Sequence, residues 1–452
     1  MKNMITRKDI TIKTDDGATH ILDRLDSSGF EAYIVGGAVR DGIINREICD
    51  YDVSTSASPE QVIKLFAKYK IVATGIKHGT VTVIISGKPY EITTFRCDGE
   101  YKDKRHPDKV EYSTNVAEDA SRRDFTVNCL YYNPKIGILD FYDGLEDLKN
   151  GIIRTVGDAD KRFAEDALRI LRAVRFASKL GFKIEEKTEN AMLKNKNLLN
   201  SVSVERIYSE LKSIVCGHYL KSALQNSREV FFQVMPELIP TNGFNQMSLS
   251  HSDDVFCHSL KVVENCDCND LNLRLAALFH DSGKPYSFTT DKNGFRHFNN
   301  HWVKSAEIAS DTLTRLKAPK SVIKEVYALC LHHDDALTDK YPIKLILKEY
   351  GAGFFVKLLK HKYADLKAHS AHGIEKYGHL YYTAKKLFEE IVSEKECYRI
   401  KDLDVKGEDI LRLNVSSVRV SEILNKLLDA VMSEKVPNRK LEILNYVRRN
   451  LV

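Results

Sequence analysis

Asp50 and Asp52 stand two apart in the stretch IVGGAVRDGIINREICDYDVS, residues 34–54. In a strand, residues i and i+2 point to one face. The spacing therefore predicts two adjacent carboxylates, with Tyr51 and Val53 turned toward a core. Like charges so close repel unless something positive lies between them. A hard divalent cation with oxygen ligands is the usual partner. Ahead of this pair, Gly36-Gly37 joins an apolar strand, AYIVGG, to a helix, AVRDGII. Such a junction presents unpaired backbone N–H groups, which suits a phosphate. A glycine pair alone is an ordinary turn, but followed by DxD it points to phosphoryl chemistry.

Two further blocks carry charge where an apolar core would not accept it. In RRDFTVN, Arg123 and Asp124 cannot both enter a core unpaired. In EDALRILRAVRFASKLG, read as one helix with the two residues before it, Phe163, Ala167, Ile170, Leu171, Val174 and Ala177 fall within a stripe about 120° wide. Asp166, Arg169, Arg172 and Arg175 fan across the opposite side. A third concentration is histidine: residues 258–365 contain CHSL, LFHDSGKP, NNHW, LHHDD and KYADLKAH. Leu275 to Phe279 are apolar on all sides, which predicts a buried helix ending at His280-Asp281, where both side chains can reach one ion.

The elements that must hold these groups divide the chain. Residues 30–155 read as mixed α/β. SPEQVIKLFAKY is a helix with Ser58 as cap, Pro59 in the first turn and Gln61 completing a capping box. TVTVIISGKPYEITTF alternates on either side of Gly87-Lys88 and predicts a β-hairpin. Residues 96–123 read as a long charged loop of the kind that is functional in a compact domain. From about 158 the pattern is helical. PELIPTNGFNQMSLS, residues 236–250, has two prolines and an Asn242-Gly243 turn, and predicts a domain boundary. We expect a head over 1–157, a helical neck over 158–235, a histidine-rich helical domain over 251–370 and a helical tail over 371–452.

Composition bounds the rest. The chain has 452 residues, 43% of them hydrophobic, and a formal net charge of +5. Residues 160–230 hold 14 Lys and Arg against 9 Asp and Glu, so this segment alone carries +5. A basic segment in a neutral background suits a polyanionic partner, and equally a solvated helical surface. Nine scattered cysteines without a CxxC pair read as free thiols of a cytosolic protein. The N-terminus lacks an apolar signal region and no apolar run approaches 18 residues, so neither secretion nor membrane spanning is expected.

Phosphate-cradling glycines followed by DxD resemble the DNA polymerase β nucleotidyltransferase superfamily. The resemblance then narrows. GGAVRD, DYDVST, HGTVTV, EITTFR, RRDFTVN, DFYDGLEDLKNGIIRTVGD, EDALRILRAVRF and SVERIYSEL occur in that order. Together they resemble the tRNA nucleotidyltransferase (CCA-adding enzyme) family, in the class shared with bacterial poly(A) polymerases. The resemblance implies an α+β fold: a small mixed-sheet, polymerase β-like head, then an all-α neck, body and tail. It implies Mg²⁺ at Asp50 and Asp52, and a third catalytic carboxylate on a neighbouring strand, for which Glu91 is the candidate because Tyr90 and Ile92 would face the core. Gly36, Gly37, Arg40, Arg123, Arg172 and Arg175 correspond to nucleotide- or phosphate-contacting positions. Asp124 and Asn128 would shape the ribose pocket.

Asp166 and Arg169 of EDxxR would read the incoming base. A carboxylate accepts from the exocyclic amino group of cytosine or adenine, and a guanidinium donates to the neighbouring ring nitrogen or carbonyl. Guanine and uracil reverse both contacts. The expected activity is template-independent addition of C, C and A to the tRNA 3′ end from CTP and ATP, with release of pyrophosphate, in tRNA maturation and repair; neither DNA nor membrane is an expected partner. Poly(A) polymerase and a partial enzyme adding only CC or only A remain alternatives. Partial CC-adding relatives lack much of the loop after the third-carboxylate strand; here RCDGEYKDKRHPDKVEYS is present, which favours terminal A addition. The histidine-rich segment resembles an HD phosphohydrolase domain, with His258, His280, Asp281 and Asp365 as its ligands. His and carboxylate ligands fit a transition metal such as Ni²⁺ or Mn²⁺ better than Mg²⁺. An RNA-binding body without metal, and a phosphohydrolase whose head merely binds RNA, are the other readings.

Overall fold

The structure, a computed structural model, describes residues 4–76, 79–98 and 110–451. The chain folds as two compact units, Met1–Pro236 and Glu237–Val452.

The first unit is built on one mixed sheet. Its strands in chain order are β1 (Ile5–Arg7), β2 (Ala32–Val35), β3 (Asp52–Thr55), β4 (Lys70–Val72), β5 (Thr80–Ile85) and β6 (Lys88–Thr94). A ribbon follows, of β7 (Arg96–Asp98) and β8 (Val110–Tyr112). The last two strands are β9 (Leu130–Asn133) and β10 (Gly137–Asp140). The sheet order is β1-β10-β9-β2-β3-β6-β5-β4, with β7 and β8 paired separately. All four residues of AYIV on β2 are buried, as befits a central strand covered on both faces. On β6, Tyr90, Ile92 and Thr94 are buried and Glu91 is exposed, the period-2 pattern of a strand with one wet face. Strand β3 pairs antiparallel with β2 and parallel with β6.

The hairpin β5–β6 forms, but its turn is centred on Ser86-Gly87, both with positive φ (51° and 82°), rather than on Gly87-Lys88. Two positive-φ residues give the turn a twist that matches the flanking strands. The helix Pro59–Leu65 carries the expected Ser58/Gln61 capping box. The charged stretch 96–123 is not loop throughout: Arg96 and Tyr112 pair across β7 and β8, and Val116–Ser121 is a helix capped by Asn115. Residues 99–109, on which the expectation about terminal A addition rests, lie outside the described residues.

The neck helix does not run unbroken. A first helix, Ala159–Glu165, ends at Asp166, whose backbone is extended (φ −143°, ψ 103°), and a second spans Leu168–Leu180. The Asp166 carboxylate accepts from the Leu168 backbone N–H at 3.1 Å. Aspartate is a poor interior helix residue because its short carboxylate competes for backbone donors. Phe163 therefore sits on a separate helix from Ile170, Leu171 and Val174, although all four are fully buried. The second helix stops at Gly181, in the left-handed conformation (φ 75°) that favours glycine.

Among its described residues the second unit is helical apart from one short hairpin. The histidines are surrounded by the helices Val255–Asn265, Leu271–Phe279, His301–Arg315 and Lys320–His332 and by Lys340–Ala368, which is broken at Gly351 (φ 80°, ψ 170°). Every residue from Leu273 to Phe279 is buried, so this helix is a core rod that delivers His280-Asp281 from its C-terminal end. Gly283 follows because a Cβ there would stand 2.3 Å from the His301 carbonyl oxygen. The loop after the rod can thus lie directly on the start of the next helix. Toward the C-terminus a separate cluster of Ile410, Ile423, Leu427, Ile443 and Val447 closes the tail helices on one another.

Candidate functional site

The register of the central strands brings three carboxylates together. Asp52 opens β3 and stands opposite Glu91 on β6 in the parallel ladder, and opposite Val35 on β2. Asp50 does not lie in the strand; it immediately precedes it. The alternation nonetheless holds through the junction. Asp50 and Asp52 are exposed, while Tyr51 and Val53 are buried and the Tyr51 hydroxyl donates to the Lys13 carbonyl. Although Asp52 reaches solvent, the packed strands around it partly desolvate its carboxyl and raise it to about 6; the charges of Glu91 and Asp50 add to the rise against the opposing pull of Arg123. Three acceptor groups with one guanidinium nearby are short of positive charge, so the donor set fits a divalent cation with oxygen ligands.

Beside the carboxylates, Gly36 adopts φ 68°, ψ −129° and leads into the helix Gly37–Ile43. A side chain is strained in that conformation. Arg123 lies next to Gly36 and is fixed from several sides. It donates to the Tyr131 hydroxyl (2.7 Å), Ser54 Oγ (3.2 Å) and Asp119 Oδ2 (3.1 Å), and its guanidinium lies over the Tyr131 ring. Asp119 is fully buried and also pairs with Arg122 at 2.6 Å. These two guanidiniums and the Tyr131 hydroxyl hold its carboxyl far below the usual carboxylate range.

RRDFTVN and the neck meet in a second network. Arg172 donates to Asp124 Oδ2 through Nε (2.8 Å) and Nη2 (2.5 Å), and Arg40 donates to Asn128 Oδ1 (2.6 Å). Burial opposes ionisation of Asp124, but the charge of Arg172 prevails and lowers its carboxyl to about 2. Arg40, Arg172 and Arg175 all pack against the ring of Phe176. Arg175 pairs with Glu210 at 3.1 Å.

The polar fan on the neck is a row of specific ion pairs. Asp166 is bound by Arg206 (2.9 Å), and Arg169 by Glu165 (2.9 Å). Arg169 also donates to the carbonyls of Arg122 and Arg162. Asp166 and Arg169 are thus adjacent at the helix start but each is oriented by its own partner. Glu165, Arg206 and Asp119 were not identified from the sequence. For two of them a signal was present: Glu165 is the first residue of EDxxR, and Arg206 lies within SVERIYSEL.

In the second unit, His258 Nε2 lies 2.9 Å from Asp365 Oδ1, His280 Nε2 lies 3.3 Å from Asp281 Oδ2 and 3.6 Å from Asp365 Oδ1, and His258 Nε2 lies 3.7 Å from Asp281 Oδ2. Donor atoms from two helices and the end of a third therefore converge. Ligands held about 2.1 Å from one ion in tetrahedral or octahedral geometry stand about 3.0–3.4 Å apart, so the group could hold a metal. Within it, His280 Nε2 is buried without a hydrogen-bond partner. Lys284 approaches Asp281 Oδ2 at 2.7 Å and donates to Gln246 Oε1. A cavity of about 520 Å³ opens beside these residues, with Lys284, Lys362, Trp302, Tyr377 and Tyr381 in its wall. His301 and His333 also face Asp281, at 3.2 and 3.7 Å. They were visible in NNHW and LHHDD but were not assigned as ligands.

Residues 32–154 match the poly A polymerase head domain, 181–238 the probable RNA and SrmB-binding site of polymerase A, and 249–353 the HD domain. A CCA-adding enzyme of Bacillus velezensis is 34% identical over 435 residues, 95% of this chain and 97% of that one. The chain belongs to the CCA-adding enzyme family. The CCA-adding enzyme of Lactobacillus helveticus is 52% identical over 208 residues, which cover 46% of this chain and 52% of that one. The chain thus spans about half the length of several curated CCA-adding enzymes it matches. The crystal structure of the Bacillus stearothermophilus CCA-adding enzyme in complex with CTP superposes with a TM-score of 0.67 at 29% identity, over 96% of each chain. That of the Thermotoga maritima CCA-adding enzyme complexed with tRNA gives 0.59 at 21% identity, a likeness of fold alone. Asp50, Asp52, Glu91 and Arg123 fall inside the matched head, whereas Asp166 and Arg169 lie between the head match and the RNA-binding match.

Proposed function

We propose that this chain adds C, C and A to the 3′ end of tRNA, using CTP and ATP and releasing pyrophosphate. The observation that carries the reading is the pairing of Asp52 with Glu91 across β3 and β6, with Asp50 at the strand mouth, in a chain alignable with a CCA-adding enzyme over nearly its whole length. Asp50 and Asp52 would hold Mg²⁺, with Glu91 as the third carboxylate. When bound, the ion supplies activation of the attacking 3′-hydroxyl and neutralises triphosphate charge.

The protein's own groups do the rest. Arg123, held rigid by Asp119 and Tyr131, faces the phosphates beside Gly36-Gly37. Asp124 and Asn128, oriented by Arg172 and Arg40, bound the ribose. Asp166 accepts from the exocyclic amine of C or A while Arg169 donates beside it. Arg206 and Glu165 keep both groups in place between turnovers. A site whose polar groups are left unpaired by the wrong partner can discriminate by about 10⁴.

The poly(A) polymerase alternative is not favoured, because the named relatives are CCA-adding enzymes. The head and neck serve as 1–157 and 158–235, the HD domain as 251–370, and the tail 371–452 as a tRNA-binding segment. Nine free cysteines suit a reducing compartment such as the cytoplasm, and no helix among the described residues is long and apolar enough to cross a membrane. The deciding assay gives purified protein Mg²⁺, single labelled NTPs, and tRNAs ending at the discriminator base, C or CC. Incorporation of CTP on the first two and ATP on the third is expected; AMP tailing of all three would make it a poly(A) polymerase.

A second reading concerns the HD domain. The convergence of His258, His280, Asp281 and Asp365 favours a bound transition metal and hydrolysis of a phosphoester, trimming damaged tRNA ends before they are rebuilt. Phosphate release from a 2′,3′-cyclic nucleotide with Ni²⁺ or Mn²⁺ tests it.

A further inference from the structure

We infer that Arg206 is a positioning residue that determines specificity: it holds the Asp166 carboxylate in place against uracil and guanine, and so serves the rejection of UTP and GTP more than the acceptance of CTP and ATP. The inference rests on the reading of Asp166 and Arg169 as the pair that meets the incoming base.

Acceptance and rejection ask different things of a carboxylate. The exocyclic amine of cytosine or adenine donates, and so draws Asp166 toward itself. The carbonyl at the same place on uracil or guanine is an acceptor and repels it. A repelled carboxylate that is free to turn swings away. Arg169 is then left alone, and a guanidinium donates to a carbonyl as readily as to a ring nitrogen. Rejection through a repulsive contact therefore needs a tether on Asp166 that the wrong base cannot displace, whereas the right base needs none.

The backbone does not supply that tether. Asp166 stands in the extended break between Ala159–Glu165 and Leu168–Leu180, outside both helices. Its side chain accepts from the Leu168 N–H on Oδ1 at 3.1 Å and from Arg206. A single nitrogen of Arg206, Nη2, donates to both oxygens, at 3.2 Å to Oδ1 and 2.9 Å to Oδ2. Turning the carboxylate either way lengthens one of these two bonds. No neighbouring cation is free to replace Arg206. Arg172, whose charge also reaches Asp166, is bound through Nε and Nη2 to Asp124. Arg169 is held by Glu165 and by the Arg122 and Arg162 carbonyls.

Arg206 is itself firmly mounted. It lies in the first turn of the helix Val204–Val215, whose Ile207, Leu211, Ile214 and Val215 are buried. One turn on, Glu210 of the same helix pairs with Arg175 of Leu168–Leu180 at 3.1 Å. Two ion pairs of opposite sense thus fix the helix that carries Arg206 relative to the helix that begins beside Asp166. Force exerted on the carboxylate by a wrong base is passed to a packed element rather than to a loose side chain.

The test measures kcat/KM of the full chain with Mg²⁺, for CTP and UTP on tRNA ending at the discriminator base and for ATP and GTP on tRNA ending in CC. Arg206→Gln should raise UTP relative to CTP, and GTP relative to ATP, by about tenfold. A uniform loss of rate with both ratios unchanged, the mark of a strut, overturns the inference. A further nucleotide separates lost repulsion from general loosening. Pyrimidin-2-one ribonucleoside triphosphate carries hydrogen where cytosine has its amine and uracil its carbonyl, so nothing on it repels Asp166. UTP should gain about tenfold on this analogue in Arg206→Gln; UTP and the analogue rising together overturn the inference. Asp166→Ala keeps the two readings apart. An unchanged UTP to CTP ratio there removes the base-reading role itself, whereas a relaxed ratio there with an unchanged one in Arg206→Gln overturns Arg206 alone. Arg206→Lys keeps the charge but ends short of the position of Nη2, and should lie between wild type and Arg206→Gln. If the Gln variant does not fold, the Lys variant decides by the same ratios, and ratios equal to wild type overturn the inference.

Discussion

The head and the histidine-rich body both gather groups that suit a cation, and they do so by opposite means. In the head, Asp50 and Asp52 are exposed at the mouth of a strand and the donors are oxygens alone. Hard carboxylates on an open face suit a divalent cation such as Mg²⁺, which keeps few protein ligands and is commonly completed by substrate phosphates. In the body, His258, His280, Asp281, His301 and His333 are all buried, and three imidazoles are locked by backbone carbonyls. Such a centre is organised before any ion or substrate arrives. Burial and ligand softness, rather than the number of donors, distinguish the two donor sets.

The comparison breaks most sharply at Asp52. Asp52→Ala should reduce nucleotide addition below a few per cent of wild type while thermal melting stays intact and hydrolysis by the body is unaffected; addition above that level would remove Asp52 from the metal pair. His280→Ala is the reciprocal change. It should abolish Ni²⁺- or Mn²⁺-dependent phosphate release and leave CTP and ATP addition within about twofold, since the proposed addition step uses Mg²⁺ at the carboxylates and not this centre. Loss of both activities together would mean the two centres are not independent.

A smaller effect is expected at the base-reading pair. Arg169→Ala should raise UTP and GTP incorporation relative to CTP and ATP by about ten- to a hundredfold, the span of one to three kcal/mol per lost contact. Rates and selectivity equal to wild type would show Arg169 to be only a strut between Glu165 and the Arg122 carbonyl. The smallest effect is on pH. Asp52, raised to about 6 by desolvation, Glu91 and Asp50, takes up a proton as pH falls through that value. The Mg²⁺ concentration for half-maximal addition should therefore be flat above about pH 7 and rise up to about tenfold per unit below 6. For the metal-free fold the sign is opposite. The native carboxyl binds a proton that the unfolded one releases at its ordinary value of 3.8, so stability falls as pH rises from about 4 to about 6. Asp124, lowered to about 2 by Arg172, stays charged across this window. A Mg²⁺ requirement unchanged between pH 5.5 and 7.5 would count against the coupling of Asp52 to its neighbours.

What the sequence disclosed depended on whether a feature was local. The capping box at Ser58, the buried rod Leu273–Phe279 and the alternation of Tyr90, Glu91 and Ile92 are short-range patterns, and each formed as read. The break at Asp166 was missed because helical periodicity continues through it: Phe163 and Ala167 fit the stripe whether or not the backbone is bent. Glu165 and Arg206 were passed over because their role is a pairing, and Arg206 is 40 residues from Asp166 in the chain. His301 and His333 lie on different helices from His280, so no spacing rule could bring them to one aspartate.

The narrow ribbon of β7 and β8 has a consequence for variation in chain length. Arg96 pairs with Tyr112, and the Phe95 backbone donates to the Thr55 carbonyl on one side and accepts from the Ser113 backbone N–H on the other. The entry and exit of the intervening segment are thus tied to each other and to the strand that begins with Asp52. Residues inserted or deleted beyond that clasp leave the carboxylate register as it is. The clasp of Phe95 with Thr55 and Ser113 is thus where a change of sequence would be transmitted to the strand that carries Asp52.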